Sequence, residues 1–333
     1  MTATPIEVAT DRVPRRGSTT ALTLGVPAAA LVGTTALALA WRPQLPHPLA
    51  SHWGPDGVDG FSPFWPLVGG MSAIVVVFAL AMWFVGTRLG HQAVTRRFAV
   101  GSAVWLAIFI CGVLLALLSA QRGVADASTV RSSGLVEAGA FAGATILALA
   151  AGRLLPGDPP RPTSAPVPVG APTLDLGDHE NAAWLAEVGR RSSVPAVVGA
   201  LAFGGFIGAA TQMWLFAGLL TVALGLLLVT MLRWTVTVDA HGLTARSLLR
   251  RPRFHVPLDE VEQAEVVHVQ PMSEFGGYGL RVGLDGRAGV VLRKGEAIQV
   301  RRTGGRVVVV TVDDAETGVA LLNTLAARHR QIR

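Results

Sequence analysis

The sequence predicts a multi-pass α-helical membrane protein of about six transmembrane helices with a C-terminal β-rich cytoplasmic domain, and three observations carry that prediction. First, the stretch Ser192 to Leu232 is forty-one residues long without one Asp, Glu, Lys, Arg or His. As a single helix at ~1.5 Å per residue it would measure about 60 Å, roughly twice the ~30 Å hydrocarbon thickness of a bilayer. It therefore crosses twice, with the break near Ala210, Thr211 and Gln212 and with Trp214 suited to the interface. Second, only 15% of the 333 residues are charged and 51% are apolar, with a mean hydropathy of +0.48. A soluble chain of this length needs more charge to cover its surface. Third, the apolar period changes after Arg233 from long runs to alternation, the mark of half-buried strands.

Four further apolar segments precede the long stretch: Thr20 to Trp41, Phe64 to Gly86, Phe98 to Ala120, and Gly134 to Leu155. Each meets the ~20 residues that a spanning helix requires. Residues 1–19 are polar and basic and read as a disordered lead; the first apolar run is too long for a signal-peptide core. Arginines orient the bundle. One set of connections holds Arg12, Arg15, Arg16, Arg88, Arg96, Arg97, Arg153, Arg161, Arg190 and Arg191, the alternate set only Arg42, Arg122 and Arg131. Ten against three puts both termini in the cytoplasm of a plasma membrane.

Residues 156–177 carry seven prolines and predict an extended linker without a fold of its own. Residues 178–191 follow, with Asp178 as a cap and Trp184, Leu185 and Val188 as one apolar stripe, and predict a short amphipathic juxtamembrane helix. After the 192–232 hairpin, residues 233–333 give about seven strands. Two join at Asp239 to Gly242, the segment 259–269 is either helix or strand, and the last two turn at Gly304-Gly305. Asp313-Asp314 then caps a final helix whose Ala320, Leu321, Leu322, Leu325 and Ala326 form a buried stripe. The expected domain is a small barrel or split sheet closed by that helix.

Two resemblances rest on these residues. The strand and helix order from Leu176 to Arg330, with W-T-V-T-V-D-A-H-G-L at 234–243 and P-L-D-E-V at 257–261, resembles the membrane-anchored bacterial pleckstrin-homology-like (PH-like) domains. The outer loop 42–63 resembles the DUF1648 signature of bacterial membrane proteins, matching at Leu45, Pro46, His52, Trp53, Gly57 and Asp59. The combination implies a DUF1648 front with a PH-like cytoplasmic tail. The DUF1648 module also fronts immunity proteins against the sporulation-delay toxin, whose second half this chain does not resemble.

Candidate chemistry is sparse. In the outer loop, His47, His52, Asp56 and Asp59 have the chemistry to hold Zn²⁺, yet Gly54, Pro55, Gly57 and Gly60 account for the same segment as tight turns, with Trp53 folding it back. The structural reading is preferred, and no metal is expected. Glu137 is the one carboxylate near a span and a candidate for ion coupling, although it sits close to the outer helix end. Arg246, Arg250, Arg251 and Arg253 cluster at one strand connection and Arg301, Arg302 and Arg306 at another, candidates for anionic lipid or a protein partner. Nucleic acid is not expected because stacking aromatics are nearly absent from those strands. There is no Walker loop, no H-E-x-x-H and no histidine or lysine within a span, so neither an enzyme nor a cofactor is expected. Cys111 is alone, which leaves no intramolecular disulfide. The sequence thus points to a non-catalytic sensing or scaffold protein, the alternative being a transporter or toxin-immunity protein acting through the bundle.

Overall fold

The structure, a computed structural model, describes residues 13–54, 56–131, 134–177, 180–189, 194–283 and 285–331. The chain divides into two compact units, one helical (Val13–Gly157 with Ala196–Gly225) and one β-rich (Asp158–Pro195 with Leu226–Arg333).

The helical unit begins with α1 (Arg16–Thr20), a π-helical turn (Ala21–Gly25) and α2 (Val26–Trp41), continuous through a 3-10 turn to Gln44. The helix thus starts four residues before the expected Thr20, because Ser18 and Thr19 return their hydroxyls to the Arg15 carbonyl and Arg16 Nε donates to Thr87 O. Residues 1–12 of the expected lead lie outside the described residues. Next come a hairpin, β1 (Leu49–Gly54) and β2 (Gly57–Ser62), then α3 (Phe64–Arg88), α4 (Ala93–Ala120), α5 (Leu135–Leu154), α6 (Val194–Thr211) and α7 (Trp214–Leu232). Five of these helices are long and apolar enough to cross a membrane, and the 18-residue α6 is apolar too.

Helix α4 is the centre of this unit, packed against α2, α3 and α5. Small residues permit the approach: a Cβ on Gly112 would lie 3.0 Å from that of Ala140, and one on Gly86 3.2 Å from that of Ala99. Trp105, Phe109, Phe141 and Phe216 form one aromatic cluster with centroids 5.0–6.1 Å apart. The break inside the long apolar stretch falls where expected, at Gln212 with φ 56°. From there α7 folds back on α6, with Gly208 against the Trp214 ring and Gly204 against Thr221.

The β-rich unit holds two sheets. β3 (Trp184–Gly189), β4 (Arg233–Asp239), β5 (Gly242–Ser247) and β6 (Arg253–Val256) pair antiparallel in that order. The second sheet contains β7 (Val261–Val269), β8 (Gly279–Val282), β9 (Ala288–Val291), β10 (Gly295–Arg302) and β11 (Arg306–Thr311), in the order β7-β10-β11-β9-β8, with β9 and β11 parallel. A short α8 (Pro271–Phe275) links β7 to β8. Helix α9 (Ala315–Gln331) touches both sheets and buries the expected Ala320, Leu321, Leu322, Leu325 and Ala326. The split-sheet alternative is therefore the observed one.

Two expectations are corrected. The predicted juxtamembrane helix is strand β3 over Trp184–Gly189, where Trp184 and Val188 point inward and Leu185 is 64% exposed; Asp178, Arg190 and Arg191 lie outside the described residues. The proline-rich segment has no regular structure, as expected, yet it is not a free spacer. It straps the β-rich unit: Thr163 N donates to Asp259 O, Leu174 N to Thr324 Oγ1, and Asn323 Nδ2 to Pro172 O. Prolines suit this role, since a chain already extended loses little entropy on docking.

Candidate functional site

In the β1–β2 hairpin, His52 Nδ1 and Asp59 Oδ1 meet at 2.5 Å across the strands, with both side chains more than half exposed. Glycine makes room for the pair: a Cβ on Gly54 would fall 2.5 Å from Asp59 Oδ2, and one on Gly60 2.7 Å from the His52 Cβ. The turn closes through Gly57 at φ 121°. Trp53 Nε1 donates to Val130 O at 2.9 Å, and Gln121, fully buried at the end of α4, exchanges two hydrogen bonds with the Ala50 backbone. Thus His52, Trp53, Gly57 and Asp59 build a fastened hairpin. His47 and Asp56 are exposed, and among the described residues no three His, Cys, Asp or Glu are grouped to hold a metal ion.

Glu137 is half-buried in the first turn of α5, where its charge favours the helix dipole.

The seven arginines part into two groups. Arg302 and Arg306 are only 7% and 5% exposed, and both donate to Glu260 Oε2, with Arg306 also 3.8 Å from Asp158 Oδ2. This corrects the expectation that they contact lipid or a partner. Their place in the β10–β11 hairpin turns them onto the carboxylate that precedes β7, and nothing in their own segment signals it. Burial, and next the neighbouring Arg302, pull the Arg306 pKa below its ordinary value against Glu260 and Asp158. Arg301 reaches Glu265 at 3.2 Å.

Arg246, Arg250, Arg251 and Arg253 stay exposed on the turn from β5 to β6. Ser247 pairs with Trp234, and Leu248 N donates to Arg233 O at 3.0 Å. Arg233 is the residue immediately after α7, so the turn lies beside the exit of that apolar helix. Its tip is tied by Arg250 N to Ser247 O and Ser247 N to Pro252 O, with Arg250 at φ 62°. At that tip Leu248 and Leu249 are 58% and 48% exposed. Two leucines inside a ring of arginines were missed as site residues, although the pattern S-L-L-R-R-P-R carries the signal. His255 is hydrogen-bonded to Thr244, and burial, then Arg253 and Arg302, hold its pKa below the ordinary value.

Compared with known proteins, the chain matches no family model, no curated protein and no solved structure. The reading of function therefore rests on the geometry.

Proposed function

We propose that this chain is a non-catalytic, multi-pass plasma-membrane protein of a bacterium, with a DUF1648-type outer hairpin and a PH-like cytoplasmic domain that engages the anionic inner leaflet. The observation that carries the reading is the β5–β6 turn, where exposed Leu248 and Leu249 stand among Arg246, Arg250, Arg251 and Arg253, hydrogen-bonded to the first residue beyond α7. If α7 crosses the bilayer, the hydrogen bond from Leu248 N to Arg233 O holds this turn at the headgroups. Each arginine there gains about 1 kcal/mol from an anionic surface, and the leucines add apolar burial. Exposed apolar side chains such as Val77, Ile146 and Phe206 on the long helices support the membrane reading. The role is that of a sensor or scaffold at the membrane surface.

The test uses the whole protein in lipid nanodiscs. Amides of residues 247–251 and 253 are expected to exchange at least tenfold more slowly in phosphatidylglycerol-containing discs than in phosphatidylcholine discs. Arg250→Glu with Arg251→Glu should erase the difference, and so should high salt. Equal exchange in both lipids would sink the lipid reading, and a copurifying protein lost on the same substitutions would replace it with a protein partner. Transport or toxin immunity through the bundle would instead depend on Glu137, and Glu137→Gln is expected to leave the lipid response unchanged.

A further inference from the structure

A cleft of about 720 Å³ in the β-rich unit is used by none of the chemistry above. One wall is the last two turns of α7, through Leu227, Leu228 and Met231; the other is formed by Tyr278 and Gly279 at the start of β8 and by Leu292. Its remaining side chains are Arg281, Arg293 and Lys294, with no acid among the described residues that line it. We propose that this cleft binds one anionic phospholipid, the upper acyl chain against α7 and the phosphate between Arg281 and Lys294. The proposal rests on the reading that α7 crosses a membrane.

Several features fit that occupant. The α7 wall from Leu227 to Met231 rises about 6 Å at ~1.5 Å per residue, similar to the ~5–8 Å between the hydrocarbon edge and the outer headgroups. A chain of 27 arginines has its one lysine at this rim, exposed, beside an exposed arginine. Arg281 is tied to the edge of the cleft by its Nε donating to Tyr278 O at 2.8 Å. Arg293 is partly neutralised by Asp313 at 3.0 Å, so Arg281 and Lys294 carry the charge available to a ligand. Gly279, at φ 108°, lets β8 approach Met231 so closely that a Cβ would lie 3.1 Å from its Sδ, so the two walls meet there. The volume is in the range of small-ligand clefts.

Native mass spectrometry of the whole protein in mild detergent, titrated with phosphatidylglycerol or phosphatidylcholine, tests this. One phosphatidylglycerol should bind at least tenfold more tightly than phosphatidylcholine. Lys294→Glu with Arg281→Glu should remove that preference, as should Leu228→Trp, which fills the slot without touching the charges. Arg250→Glu with Arg251→Glu should retain it, which separates this site from the β5–β6 turn. Equal retention of both lipids by the wild type, or an unchanged preference in the Lys294→Glu, Arg281→Glu protein, would overturn the proposal. Displacement by inorganic phosphate alone would do so too, because it would leave the α7 wall without a role.

Discussion

One carboxylate, Glu260, holds three parts of the β-rich unit together. It is 4% exposed, its Oε2 accepts from the guanidinium groups of Arg302 and Arg306, and its Oε1 accepts from the backbone N–H of Arg161 in the proline-rich strap. Two cations on one anion leave a buried excess of positive charge, which Asp158 answers only from 3.8 Å. Removing one member of a buried ion pair costs more than the pair contributes, because the stranded charge has lost its solvation. Glu260→Gln preserves shape and removes only the charge. We expect it to destabilise the domain by about 3–5 kcal/mol, read as a lower thermal midpoint of the whole protein in detergent and faster proteolysis within residues 158–177. Asp158→Asn should cost far less. A Glu260→Gln protein within about 1 kcal/mol of the wild type would mean that the cluster is solvated and its arginines available at the surface.

At the scale of the element, β3 shows how a sequence can be ambiguous for a physical reason. Trp184 and Val188 are four residues apart, a spacing that puts two side chains on one face in a helix and in a strand alike. Leu185 decides between the two: a helix would turn it toward that same face, a strand turns it away, and it is exposed. The strand forms because β4 would otherwise present an open edge; Trp184 pairs with Val238 and Val188 with Trp234, and Trp184 Nε1 also reaches Asp314. Asp314 caps α9 by accepting from Thr317 N; burial opposes its charge, but the hydrogen bonds from Thr317 and Trp184 outweigh burial and hold its pKa below the ordinary value. Leu185→Asp is therefore expected to change the thermal midpoint little, whereas Trp184→Ala should destabilise by about 3–5 kcal/mol and Val188→Asp should be comparably severe. Equal sensitivity at 185 and 188 would restore the helix. Features with a local cause were legible in the same way: the long apolar runs, the Gln212 break, the Gly304-Gly305 turn and the α9 stripe all depend on neighbours in sequence. The parallel β9–β11 pair, the docked strap and the inward turn of Arg302 and Arg306 depend on partners that are distant in sequence, such as Asp259 and Thr324 for the strap. Of the candidate site, the charges were legible and their exposure was not.

For the whole molecule, the decisive question is how many of the six apolar helices cross. On the proposed reading the count of arginines would set the sides, and four crossings or six would leave residues 233–333 on the same side, so the side of the C-terminal unit does not distinguish them. The α6–α7 turn does. Gly134, just before α5, stands so close to Met213 that a Cβ on it would be 3.1 Å from that of Met213. The turn thus sits at the end of the helical unit where α5 begins, the end that the proposed orientation would place outside. Cys111 is the natural thiol and is buried, so Cys111→Ala gives a clean background. Single cysteines at Asp56, Gln212 and His241, all exposed positions, can then be probed with a membrane-impermeant maleimide on intact cells. Asp56→Cys and Gln212→Cys are expected to label at once, and His241→Cys only after permeabilisation. Labelling of position 212 only after permeabilisation, with 56 reactive from outside, would reduce the protein to four crossings. It would also take the α7 wall out of the bilayer, and with it the physical basis for a lipid at Lys294.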